Sequence, residues 1–190
     1  MKSSTLWAYV DLLASFLAVV LIAVALSMPK RTAANDEALS PPGNVIVEIH
    51  WPPTMPVDVD LWVQAPNEAP VGFWNQGGHT FNLLRDDLGF EGDATNENYE
   101  ISYSRGIPPG EYIVNVHMYG RPPPNTGVPV KVVVSLKKPL EDTRQILATD
   151  VVLARQNQEE TAFRFRLTSE GNLVPGSVST LRRPLITRPN

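Results

Sequence analysis

Residues 111–119 read Glu-Tyr-Ile-Val-Asn-Val-His-Met-Tyr. In an extended chain Tyr112, Val114, Val116 and Met118 take one face, and Ile113, Asn115, His117 and Tyr119 take the other. That is the alternation of a central strand with one buried side. Pro109-Gly110 before the run and the stiff stretch Arg121-Pro122-Pro123-Pro124-Asn125 after it bound it with turn chemistry. Further short runs of β-branched and aromatic residues lie at 45–51, 59–64, 81–84 and 99–103 on one side, and at 128–136, 145–153 and 162–167 on the other. They are divided by clusters of Pro, Gly and Asn and recur every 8–14 residues or so, which predicts an antiparallel β-sandwich over 44–170. No segment outside the N-terminus has helical period.

Composition agrees with one such domain plus appendages. The chain has 190 residues, 43% of them apolar and 19% charged, which excludes a disordered chain. It has no cysteine, so disulfide scaffolds, CxxC redox motifs and thiolate zinc sites are excluded. The net charge of −4 argues against nucleic acid as a partner. No GxSxG, P-loop or GxGxxG motif is present, and the histidines, His50, His79 and His117, sit in three separate elements without ligand spacing. An enzyme is therefore not expected.

The N-terminus is of another kind. From Leu6 to Met28 the only ionisable side chains are Asp11 and the phenol of Tyr9, and as a helix the stretch would rise roughly 34 Å at about 1.5 Å per residue. Trp7 and Tyr9 stand where an interfacial belt would, and Pro29, Lys30 and Arg31 end the run. The expectation is a transmembrane helix over 6–28 after a short tail, 1–5, with a polar linker over 29–43 ending in Pro-Pro-Gly. The other reading is a cleaved secretory signal, with a small-residue cleavage site at Ala23-Val24-Ala25 or Ala25-Leu26-Ser27. Asp11 within such a span marks either an ion pathway or an acid snorkelling to the near headgroups. Ser15, at i+4, shares its face and would hand on a proton or let a helix pack closely.

Ala8-Tyr9-Val10-Asp11-Leu12-Leu13-Ala14-Ser15, with Ser27-Met28-Pro29-Lys30 beyond, resembles the single transmembrane helix of the flagellar stator B subunit (MotB) family and the related ExbD and TolR subunits. The resemblance implies an ion-driven rotary motor in the bacterial inner membrane. In it Asp11 carries the coupling ion, H+ or Na+, and Tyr9 and Ser15 line the pore. It also implies a self-dimer inside a ring of about five MotA/ExbB/TolQ-like polytopic subunits, a cytoplasmic N-terminus, and a periplasmic domain that transmits force or binds an unknown periplasmic partner. That family has a plug helix after the span, which Asn35–Leu39 is too short to assign. The α/β peptidoglycan-binding pattern of stator B subunits is absent.

Trp51-Pro52, Asp58-Val59-Asp60-Leu61-Trp62-Val63 with Pro66, and Pro109-Gly110-Glu111-Tyr112-Ile113-Val114 resemble small bacterial β-sandwich modules of the YfaP type, and the last motif is shared with Ig-like and transthyretin-like domains. This implies a fold more than a function. The alternative to the motor is accordingly a membrane-anchored or secreted envelope module that binds a ligand and transports nothing.

Within the sandwich no metal is assigned. Asp58 and Asp60, with Asp86, Asp87, Asp93 and Glu97, are the acids that could gather oxygen ligands for Ca²⁺, although their spacing matches no EF-hand loop and turn hydrogen bonds explain them as well. Trp62, Phe73, Trp74 and His79 form a candidate surface for stacking a sugar or peptide, or else part of the core. The segment 171–190 carries Arg182, Arg183 and Arg188 without an acid and is expected to be a flexible basic tail.

Overall fold

The computed structural model describes residues 3–27, 43–89 and 97–186. The chain divides into two units, Met1–Ser40 and Pro41–Asn190.

The first unit contains helix α1, Ser3–Ser27. Among the described residues no helix is long and apolar enough to cross a membrane. This corrects the expected transmembrane helix over 6–28 and the single-pass inner-membrane placement with a periplasmic C-terminal domain. The ion-driven motor rested on that span and is not carried forward. Tyr9 and Ser15, the expected pore-lining pair, are both exposed on α1. The side chain of Asp11 and nearly all of the linker, residues 29–42, lie outside the described residues.

The second unit is the β-sandwich that the alternation predicts. Its strands are β1 (Val45–His50), β2 (Val59–Gln64), β3 (Phe81–Arg85), β4 (Tyr99–Ser104), β5 (Gly110–Met118), β6 (Val128–Leu136), β7 (Arg144–Leu153) and β8 (Glu159–Leu167). A five-stranded sheet, β3-β4-β1-β6-β7, faces a three-stranded sheet, β2-β5-β8, and every neighbouring pair is antiparallel. Alternate residues meet between them. Val45, Val47 and Ile49 of β1, Leu61 and Val63 of β2, and Tyr112, Val114, Val116 and Met118 of β5 are all buried in one cluster. The Tyr112 hydroxyl donates to the Pro108 carbonyl at 2.6 Å, so the one polar atom of this fully buried ring is satisfied where the chain turns into β5. Gly110 makes that turn at φ +139°, against Pro66.

β5 differs from the expected strand in being buried on both faces. The cause is the C-terminal segment, which over 171–186 is not free. Its backbone pairs with β8 at Thr168–Asn172, Arg166–Val174 and Arg164–Ser179. It then brings Leu185 onto Trp62 and Ile113, forming a second, smaller cluster on the outer face of the three-stranded sheet. Trp62 thereby becomes fully buried, a core residue rather than part of a ligand surface.

Candidate functional site

The outer face of the three-stranded sheet is where polar side chains collect. Because Val59, Leu61 and Val63 point into the sandwich, Asp58, Asp60 and Trp62 point out. Asp60 pairs in register with His117, and their side chains join through Oδ2 and Nδ1 at 2.7 Å, both buried. From the opposite sheet Glu100, on β4 and fully buried, reaches across. Its Oε2 accepts from the Leu61 amide at 2.7 Å, and its Oε1 accepts from the Asp87 amide at 3.0 Å. Asp86, after β3, completes the group: Asp60, Asp86 and Glu100 each offer an oxygen, all within 4.8 Å of one another.

The neighbouring acids play different parts. Asp87 accepts from Arg85 Nη2 at 3.0 Å, the Gly89 amide at 3.1 Å and the Tyr99 amide at 3.3 Å. With these three bonds it fixes the loop, and it is not in the group of oxygens that lie within 4.8 Å of one another. Asp86 accepts from Gln76 Nε2 at 3.2 Å through Oδ2, but its Oδ1 is buried without a hydrogen-bond partner, as is Oδ1 of Asp58. A buried oxygen with no donor is costly unless something else fills its coordination.

Electrostatics points the same way. Burial, reinforced by Asp60, Asp86 and Asp87 and opposed by His117, pushes the Asp58 carboxyl up to about 7. Burial also raises Asp60, against the hydrogen bond from His117. Burial likewise raises Glu100 well above the usual carboxylate range, despite the two amides that favour its charged form, with Asp60 adding to the rise. These carboxyls resist ionising together for want of positive charge. A hard divalent cation would supply it, and an all-oxygen donor set with carboxylates, carbonyls and water suits Ca²⁺ rather than a metal that prefers nitrogen or sulfur. The histidine here has its Nδ1 committed to Asp60.

A cleft of about 150 Å³ opens onto this group between Asp58, Asp60, Asp86, Leu88, Phe73 and Tyr119. Phe73 and Trp74 come from the β2–β3 loop, held there because Gly72 lies against the Trp62 indole where an added Cβ would overlap the ring. Trp74 packs on Trp62 at 4.1 Å between ring centroids, and Phe73 meets Trp74 at 4.6 Å and Tyr119 at 5.6 Å, edge to face.

The structure thus joins Asp58 and Asp60 with Asp86, 26 positions further along the chain. It separates Asp87 from them in role, and Glu97 lies exposed away from the group, with its carbonyl accepting from Arg85. Asp93 lies outside the described residues. Of the stacking candidates Trp74 is half exposed, Trp62 is buried, and His79 stands apart in the turn before β3, beside Glu68 at 3.5 Å. Glu100 escaped the sequence reading. Its signal was there: in Tyr99-Glu100-Ile101-Ser102-Tyr103-Ser104 it shares parity with the buried Ser102 and Ser104, an acid on the inward face.

Comparison with protein-family models, with curated proteins and with solved structures finds no match to this chain.

Proposed function

We propose that the chain is a non-catalytic binding module whose recognition end is organised by a hard divalent cation, Ca²⁺ by its ligand chemistry. The observation that carries this is the convergence of Asp60, Asp86 and Glu100 within 4.8 Å beside two buried, unpartnered carboxylate oxygens. Asp60 and Glu100 would hold the ion from the two sheets, Asp86 and Asp58 would close it from the loops, and backbone carbonyls and water would supply the remaining oxygens. The cation's part is to offset carboxyl crowding and to tie the loop after β3 to the start of β2.

Thermal unfolding tests the reading. A ligand at a hundred times its Kd stabilises the folded state by about 2.7 kcal/mol, which for a domain of this size raises Tm by roughly 5–10 °C. Millimolar CaCl2 is expected to produce such a rise over EDTA, with MgCl2 producing less. Asp86→Asn gives the sharper signature. Removing one crowded carboxylate should raise the stability of the EDTA-treated protein by about 1 kcal/mol while abolishing the calcium response. Wild-type protein that melts at the same temperature in calcium and in EDTA would sink the proposal.

A further inference from the structure

A second cavity, of about 400 Å³, adjoins the acidic group on the same face. The two share Phe73 and Tyr119 as walls, and His117, which lines the larger cavity, is the residue bonded to Asp60. The volume falls in the range of roughly 300–1,000 Å³ typical of small-molecule pockets. We infer that this cavity binds a neutral saccharide, one face of a pyranose ring stacking on its aromatic side chains and its hydroxyls meeting its polar ones. The inference rests on the reading of the chain as a cation-organised binding module.

The aromatic wall is rigid and partly bare. Trp74 and Tyr119 are 51% and 53% exposed, yet Trp74 is wedged against the fully buried Trp62, and Phe73 packs edge to face on both Trp74 and Tyr119. Large apolar faces held open to solvent at little further cost in side-chain entropy suit a ligand that presents flat C–H surface. The lining also carries Asn157, Glu159 and Arg182, groups with planar donors and acceptors. Glu159 is anchored for such a task. Its Oε1 accepts from Asn115 Nδ2 at 2.6 Å, from the Leu185 amide at 2.7 Å and from the Ile186 amide at 3.3 Å, and none of these bonds uses Oε2. A sugar ring, apolar on its face and hydroxylated at its rim, has this same division.

Charge narrows the class. Among the described residues lining the cavity Arg182 is the one Lys or Arg and Glu159 the one Asp or Glu, whereas Asp58, Asp60 and Asp86 line the adjoining cleft. Arg182 and Glu159 offset each other, and the cation of the proposed site offsets the acids next door, so the lining holds no surplus positive charge for a phosphate or polyuronate to pair with, whereas neutral hydroxyls need none.

The test uses the full chain and follows tryptophan fluorescence with cellohexaose, xylohexaose, mannohexaose and chitohexaose, and with an alginate hexamer as the acidic counterpart. Calcium-dependent melting is measured on the same samples. In calcium, at least one neutral oligomer is expected to shift the emission saturably, EDTA to weaken that binding, and Trp74→Ala to weaken it tenfold or more while the calcium-induced rise in Tm persists. If the calcium response is present and no neutral oligomer binds, or the alginate hexamer binds in preference, the saccharide inference fails and the cation reading stands. If a neutral oligomer binds in a Trp74-dependent way with no calcium response, the cation reading fails and the pocket stands alone.

Discussion

Asp58 keeps its proton up to about pH 7 because it is buried among Asp60, Asp86 and Asp87, with only His117 opposing them. Its folded value lies above the 3.8 of a solvated aspartate, so between about pH 4 and 7 the folded chain binds more protons than the unfolded one. Stability then falls as pH rises through that window. Asp60 and Glu100, also raised, act in the same sense, while the Arg85 guanidinium bonds to Asp87 and lies over the Tyr99 ring. In EDTA, Tm should therefore decline from pH 5 to pH 8. A cation stabilises the ionised carboxylates, so in saturating calcium the decline should flatten, and the apparent calcium Kd should tighten with rising pH. Melting curves at unit steps of pH with and without calcium check both. A Tm that rises from pH 5 to 8 in EDTA would show that these carboxyls ionise freely.

At the scale of elements, the loop between β2 and β3 depends on one close approach. Gly72 pairs with Asn75 through reciprocal backbone hydrogen bonds of 3.2 and 3.0 Å and lies flat on the Trp62 indole. Gly72→Ala forces loop and ring apart, and since Trp62 is fixed in the outer-face cluster the loop must move. The expected cost is about 1–3 kcal/mol by urea unfolding, with the tryptophan emission shifting to the red as Trp74 loses its packing. An unchanged midpoint would mean the loop yields without strain. The eight strands themselves were legible, because period-two alternation between Pro/Gly breaks is a local signal. What was not legible is what packs across a strand. Ile113, Asn115 and His117 read as the solvent face of β5 because the sequence near them does not announce that Leu185, more than sixty positions on, covers that face. The same blindness hid Glu100, whose partners Leu61 and Asp87 come from two other elements, and it made the C-terminal segment look free. Its arginines suggested a basic tail, whereas Arg183 lends its carbonyl to Asn115 and its amide to Thr161.

At the scale of the whole molecule, every side chain of the two buried clusters lies between Val45 and Ile186. The acidic group and the aromatic cavity lie within the same limits. The five- and three-stranded sheets close around that core with the C-terminal segment as a cover, so the sandwich contains the parts a domain of about 150 residues needs to fold alone. A chain starting at Pro41 is accordingly expected to unfold in one cooperative transition. Its Tm should lie within about 2 °C of the full chain's, and its response to calcium should be equal in size, since no described ligand candidate is removed. Calorimetry on the two proteins, each in calcium and in EDTA, makes the comparison. A truncated chain that melts well below the full one, or loses the calcium response, would show that residues 1–40 contribute to the core or to the site. Equal curves would put both the fold and the cation chemistry in residues 41–190, and would leave α1 to be studied as a separate unit.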